Sequence, residues 1–161
     1  MAKAKPKKPV FEFTVEPGVG ALPIKFGMTA KQVAAELGKP ESKQVNWLGN
    51  TNENRFMSNI RVGYSKETEL VFDMSCCKDK AIAVMFQGID LLHDNSRFEV
   101  LLKADGEPME LLGFLVFPKL GIGLSGYHGR MAKTVSVYDP STVDLAKYKP
   151  YDPKLLLKLK K

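Results

Sequence analysis

The sequence predicts an α+β fold, an antiparallel sheet with helices packed on one face. Three observations carry that prediction. Two segments, residues 29–40 and 96–108, combine helical apolar spacing with end caps. Around them, short runs alternate apolar and polar residues, and the connectors at 65–67 and 77–80 are short and polar, as in an antiparallel meander. The two helical segments also superpose on one another at a constant offset.

Taken in order, residues 1–9 are mostly lysine, alanine and proline and predict a disordered basic arm. Residues 10–16, VFEFTVE, alternate as a strand that Pro17 and Gly18 end. Ile24 and Phe26, alternating with Pro23 and Lys25, give a second short strand. Thr29 is then an N-cap with Gln32 completing a capping box, Ala30, Val33, Ala34 and Leu37 form one stripe, and Gly38 and Pro40 stop the helix. Residues 42–54 hold the only tryptophan, Trp47, and end in GNTNEN, a polar run read as a loop.

Residues 57–64, 70–74 and 81–86 place Ile60, Val62 and Tyr64, then Leu70, Phe72 and Met74, then Ile82, Val84 and Phe86 on single faces, which predicts a three-strand meander. Ser96 and Glu99 form a second capping box ahead of Val100, Leu101 and Ala104, and residues 105–108 end that helix. Strands follow at 111–117, 122–124 and 134–138. The chain thus divides into a basic arm at 1–9, one α+β domain at 10–146 and a Pro/Lys-rich tail at 147–161, whose KLLLKLKK ending predicts an amphipathic turn or a short edge segment.

The net charge of +6 is concentrated at the ends. Residues 1–9 contribute four lysines and residues 147–161 six, whereas residues 10–146 carry 14 basic and 17 acidic side chains. The basic ends read as solvated tails or as non-specific contacts for polyanions. No run approaches the roughly 18 apolar residues that cross a bilayer, and the basic N-terminus has no apolar region behind it, so a cytoplasmic protein without a membrane partner is expected. The two cysteines, Cys76 and Cys77, are adjacent, which suits a reducing compartment better than a disulfide framework.

Laying the second helix over the first puts Thr29 on Ser96, Gln32 on Glu99, Val33 on Val100, Ala34 on Leu101 and Leu37 on Ala104, all 67 residues apart. Gly38-x-Pro40 meets Gly106-x-Pro108 at 68. Two readings stand side by side: tandem α-β-β-β units at 21–87 and 88–138, or independent convergence of two ordinary capped helices.

The stretch from the glycine-bounded strand through Phe26-Gly27-Met28-Thr29 to Leu37-Gly38-x-Pro40 resembles a segment that recurs in small bacterial immunity proteins of secreted toxins. It is also similar to the helix-plus-meander domains of the β-lactamase inhibitor protein and of the small lipoprotein of the outer-membrane barrel assembly machine. The lipidated cysteine of the lipoprotein branch is lacking, which argues against a barrel-assembly role. The resemblance covers residues 18–41 and transfers no binding residues. It implies a protein that works by binding another protein, namely a cognate toxin effector whose active site it occludes.

Chemistry is sparse. Residues 121–126, GIGLSG, match the dinucleotide fingerprint by letter, but the helix that must follow is interrupted by Tyr127-His128-Gly129 and then a strand; a glycine-rich hairpin without cofactor is expected. His93 and His128 are the only histidines, too few for a metal site. Cys76 and Cys77 fall in a predicted β-turn and read as incidental thiols, so no enzyme and no small-molecule substrate is expected. Asp90, Asp94, Glu99, Asp105, Glu107 and Glu110 are either the solvated face and caps of the second helix or an acidic patch that steers a basic partner such as a nuclease toxin. The candidate partner-binding residues are therefore Trp47, Asn50, Tyr127 and Arg130, read as exposed loop residues, with Asp90, Asp94, Glu107 and Glu110. The alternative function is a nucleic-acid-associated protein held by its basic N- and C-terminal arms.

Overall fold

The computed structural model describes residues 9–127 and 133–159; the basic arm at 1–8, His128, Arg130 and the last two lysines lie outside them. Strands β1 (Phe11–Glu16), β2 (Gly20–Leu22) and β3 (Ile24–Lys25) precede helix α1 (Ala30–Leu37). Next come β4 (Ser42–Val45), β5 (Thr51–Arg55), β6 (Ile60–Tyr64) and β7 (Val71–Cys77), then β8 (Ile82–Phe86) and β9 (Ile89–Asp90). Helix α2 (Arg97–Ala104) leads into β10 (Met109–Leu111), β11 (Phe114–Phe117), β12 (Ile122–Ser125) and β13 (Thr134–Tyr138). After two 3-10 turns the described chain closes with β14 (Lys149–Pro150) and the single turn α3 (Pro153–Leu156). The class is α+β.

Local chemistry explains the helix ends. Thr29 Oγ1 accepts from the Gln32 N–H at 3.2 Å and Gln32 Oε1 accepts from the Thr29 N–H at 2.9 Å, so the first capping box forms as its spacing predicts. Gly38 closes α1 at φ +82°, where a Cβ would be strained. The second box does not form. Asp94 Oδ1 accepts both the Ser96 N–H, at 2.8 Å, and the Ser96 hydroxyl, at 2.6 Å, so a carboxylate two residues upstream takes the groups that a Ser96 cap would need.

The strands make two sheets. The smaller has the order β3-β2-β1-β8-β9, with β1 and β8 parallel and Phe11 and Phe13 beside Ile82 and Val84. The larger is antiparallel, in the order β14-β10-β11-β12-β13-β7-β6-β5-β4.

Four expectations change here. The predicted meander breaks after its second strand: β7 pairs with β13, while β8 crosses to the smaller sheet, where Ile82, Ala83, Val84 and Phe86 are buried between β1 and β9. The polar run 49–54, read as a loop, instead enters strand β5, which pairs with β4 as a hairpin; its inward residues Glu53 and Arg55 are charged and buried against each other, which periodicity alone does not reveal. Cys76 and Cys77 lie in strand β7, not in a turn. Residues beyond 147 also join the fold, with Leu156 fully buried in the core.

The core face of the large sheet is built in cross-strand rows. One row runs Phe117, Ile122, Val137, Met74, Val62, and the next Leu115, Leu124, Val135, Cys76, Ile60. Each aligned neighbour removes apolar surface from water at roughly 25 cal/mol per Å². At β5 the rows change character: Val62 is followed by Glu53 and then Lys43, and Ile60 by Arg55.

Candidate partner-binding surface

Where the apolar rows end, the sheet carries a buried ionic network. Arg55 Nη2 donates to Glu53 Oε1 at 3.1 Å, the Tyr64 hydroxyl donates to the same oxygen at 2.6 Å, and Lys43 Nζ stands 3.6 Å from Glu53 Oε2. Arg55 Nε also donates to the Gly38 carbonyl at 3.0 Å, so the network ties the end of α1 to β5. Burial, with the adjoining Glu53 carboxylate, holds the Tyr64 phenol well above its ordinary pKa. Above the network opens a cleft of about 610 Å³ between the start of α1, the β4–β5 hairpin and the β6–β7 connection. Lys31, Lys43 and Lys66 line it against Glu53 and Glu69, and Arg55 already neutralises Glu53. The cleft is therefore net basic, in contrast to the mildly acidic body of the chain.

Beside the cleft stands the tip of the β4–β5 hairpin. Asn46 Oδ1 accepts from the Leu48 and Asn50 N–H groups, each at 3.0 Å, the Asn46 N–H donates to the Asn50 carbonyl at 2.9 Å, and Gly49 takes φ +86°. Asn50 Oδ1 in turn accepts from the Lys66 N–H at 3.0 Å, bracing the tip against the next connection. On this fixed turn Trp47 is 91% exposed, Val45 70% and Leu48 50%. Trp47 is thus where its reading as an exposed contact places it, whereas Asn50, half-buried, acts as the brace.

The other candidates separate. Asp90 turns inward: Oδ1 accepts from the Val84 and Leu92 N–H groups and Oδ2 meets His93 Nδ1 at 2.7 Å. Asp94 is spent on Ser96, whose hydroxyl and N–H bonds hold its carboxyl below the usual range. Asp105 is buried, accepting from the Glu107 and Lys119 N–H groups. Of the acidic cluster, Glu99 and Glu107, both exposed, the latter 3.4 Å from Lys119 Nζ, and the half-buried Glu110 remain as outward groups.

Tyr127 is not exposed. At 9% exposure it lies edge-on to Phe98, with centroids 5.4 Å apart, under the guanidinium of the buried Arg97 at 5.2 Å. Its hydroxyl donates to the Leu91 carbonyl at 3.4 Å, and burial raises its pKa. The structure thus brings together Trp47 and Asn50 on one hairpin and sets none of the other described candidates on it; Arg130 lies outside the described residues.

Sequence reading missed the exposed Val45 and Leu48 on the hairpin that carries Trp47, and Lys31, Lys43 and Lys66 around the cleft that the same hairpin borders. One signal for the hairpin was present, the period-two spacing of Thr51, Glu53 and Arg55 inside a polar run. Residues 121–126 contain β12, bonded on both sides to β11 and β13. Among the described residues, no group of three His, Cys, Asp or Glu is placed to hold a metal ion, and no helix is long and apolar enough to cross a membrane. Comparison with protein families, curated proteins and solved structures gives no significant match to this chain.

Proposed function

We propose that the chain acts by binding another protein, as an immunity-type inhibitor that neutralises a cognate toxin effector by covering its active site. The observation that supports this is the Val45-Trp47-Leu48 tip, apolar surface held in water by a turn whose backbone is already hydrogen-bonded. Contiguous exposed apolar groups mark recognition sites, and a pre-ordered turn loses little entropy when it docks. Tryptophan is also the residue type most often found to anchor interfaces. A stable complex needs about 800 Å² from each partner, so the tip serves as the anchor and the adjoining basic cleft and sheet edge as its surround.

The fold is read, in the same proposal, as two tandem units with their helices on the core face of the large sheet. The three antiparallel strands β1–β3, α1 and the antiparallel β4–β7 make one run and the hairpin β8–β9, α2 and β10–β13 the other, which sets the boundary ahead of β8 rather than between 87 and 88, and the last strands of the two runs, β7 and β13, pair with each other. Co-expression with the products of neighbouring coding sequences tests the functional reading. A stable complex together with protection from toxicity is expected; absence of both with every neighbour refutes it.

A further inference from the structure

The open edge of the large sheet at β4 is the most specific feature left unassigned. The Asn46 N–H donates to the Asn50 carbonyl, and in the register that sets Gln44 beside Asn52 and Ser42 beside Asn54 such bonded positions recur at every second residue of the antiparallel ladder. Gln44 and Ser42 therefore bond toward β5, and the N–H and C=O groups of Lys43 and Val45 face away from it. Among the described residues nothing pairs with that outer side, since the sheet ends at β4. The opposite end of the same sheet, and both ends of the smaller one, are strands of only two residues, so β4 is the longest edge strand among the described residues.

The opposite end of the sheet supplies the comparison. Counting outward from the central β13–β7 pair, β12, β11 and β10 correspond to β6, β5 and β4. Lys43 stands opposite Glu53 and Glu110 stands opposite Leu115, so Lys43 and Glu110 hold equivalent positions, separated by the same 67 residues that relate the two helices. The outer edge of β10 is covered: β14 adds to it antiparallel and sets Lys149 directly across from Glu110. One half of the sheet thus carries an acidic edge strand closed by a short strand bearing a lysine. The other half carries a basic edge strand whose Lys43, largely exposed though 3.6 Å from Glu53 Oε2, has no such cover among the described residues.

Resting on the protein-binding reading, we infer that β4 receives an extended segment of the partner as an added antiparallel strand, and that this segment carries an acidic side chain facing Lys43. Backbone pairing to Lys43 and Val45 supplies the register, Trp47 and Leu48 close over the segment's apolar side chains, and Lys31 and Lys66 around the cleft favour further acidic residues. A second copy of this chain is the poorer occupant, because two β4 strands paired about their middle bring Lys43 toward its own copy.

The single tryptophan makes the test direct, since Trp47 sits at the proposed seat and no other residue contributes its emission. The probes are a short blocked peptide alternating Glu and Val, and the same peptide with Lys in place of Glu. The acidic peptide is expected to give a saturable blue shift of Trp47 emission and to slow amide hydrogen exchange at Lys43 and Val45. The basic peptide should bind about tenfold more weakly or worse. Val45→Pro, which removes an outward N–H while leaving the β5 ladder intact, should weaken the acidic peptide by a similar factor with an unchanged circular dichroism spectrum. Lys43→Gln, which leaves the backbone as it is, should do the same.

Equal binding of both peptides, no saturable binding, or indifference to Val45→Pro and Lys43→Gln overturns the proposal. So does a concentration-dependent dimer, seen by sedimentation and lost in Val45→Pro, which would identify a second copy as the occupant. A complex with a neighbouring gene product that survives Val45→Pro would sink this docking mode alone. The failure to find any complex would sink the reading beneath it.

Discussion

The network of Glu53, Arg55 and Tyr64 gives the sharpest prediction about stability. Arg55→Met removes one partner of a buried ion pair and leaves the Glu53 carboxylate with the Tyr64 hydroxyl at 2.6 Å and Lys43 Nζ at 3.6 Å. Breaking a buried pair from one side costs about 3–5 kcal/mol, because the remaining charge stays desolvated. Here the lower end, about 3 kcal/mol, is expected, since the Lys43 head can move over the carboxylate. The variant also loses the bond from Arg55 Nε to the Gly38 carbonyl, which fastens α1 to the sheet. In a chain of this size each kcal/mol moves the melting midpoint by about 2–4 °C, so a fall of about 6–12 °C is expected.

Tyr64→Phe removes a donor to the same charged oxygen and should cost about 1.5–3 kcal/mol. Replacing both charges with apolar groups, Glu53→Leu with Arg55→Met, continues the neighbouring Val62 and Ile60 rows and should cost far less than the sum of the single changes. Urea and thermal unfolding followed by far-ultraviolet circular dichroism measures all three. If Arg55→Met costs under about 1 kcal/mol, or the double change is additive, the network is not the clamp described here.

Four further outcomes are expected. Trp47→Ala should leave stability within about 0.5 kcal/mol of the parent in urea titrations while costing about 2 kcal/mol or more of partner affinity in calorimetry. Burial raises the Tyr138 pKa from 10.0 to about 12. Between those values the unfolded chain has lost the phenol proton and the native chain keeps it, so this contribution is complete below pH 10 and is lost as pH rises toward 12; because the buried Cys76 thiol is raised from 9.0 in the same sense, the urea midpoint should begin to fall above about pH 9 and fall more steeply from 10 to 12, and Tyr138→Phe should flatten that second part. Cys76 is buried, with its thiol pushed up in pKa, whereas Cys77 is half-exposed, so a thiol reagent should modify Cys77 alone in the native protein, read by mass after digestion. Gly123→Ala would put a methyl group 2.6 Å from the Phe114 ring on the outer face of β12 and should cost about 1–3 kcal/mol by thermal unfolding.

Much of the secondary structure was legible because local chemistry decides it. Thr29, Gln32 and Gly38 cap α1 with short-range bonds, and the alternation of Ile60, Val62 and Tyr64 or of Val135 and Val137 fixes which strand face is buried. What the sequence did not disclose was long-range pairing. The two-sided burial of β8 looks like any apolar run until β1 and β9 are seen beside it, and β5 looked like a loop because its inward residues are charged. Of the surface proposed to meet a partner, Trp47 and Asn50 were legible. Tyr127 carries the same interface-prone chemistry, yet Phe98 and Arg97 enclose it, and no local pattern distinguishes the two. Asp90 and Asp94 looked like surface charge because turn-forming carboxylates are indistinguishable by spacing from solvated ones.

The two ends of the large sheet differ in ways that belong together physically. At the β10 end the inward residues of the second strand are Leu115 and Phe117, the edge is closed by β14, and the turn of Leu112 and Gly113, both at positive φ, leaves Leu112 98% exposed. At the β4 end the matching positions are Glu53 and Arg55, the edge is open, and the exposed tip residue is Trp47. An open edge strand risks indiscriminate pairing, and proteins limit that risk with short strands, charged side chains and nearby prolines; β4 has four residues, Lys43 and the preceding Pro40. An open strand that must also meet a specific partner needs a fixed register, since a slip by one residue would turn Lys43 and Val45 to the other face. Apolar pairs such as Leu115 with Leu124 tolerate such slips better than a carboxylate that must meet Arg55, Tyr64 and Lys43 at once. The buried charges of β5 and the open edge of β4 are then two parts of one arrangement: the ionic network holds the hairpin in a single register so that its outer edge and tip are presented in one geometry.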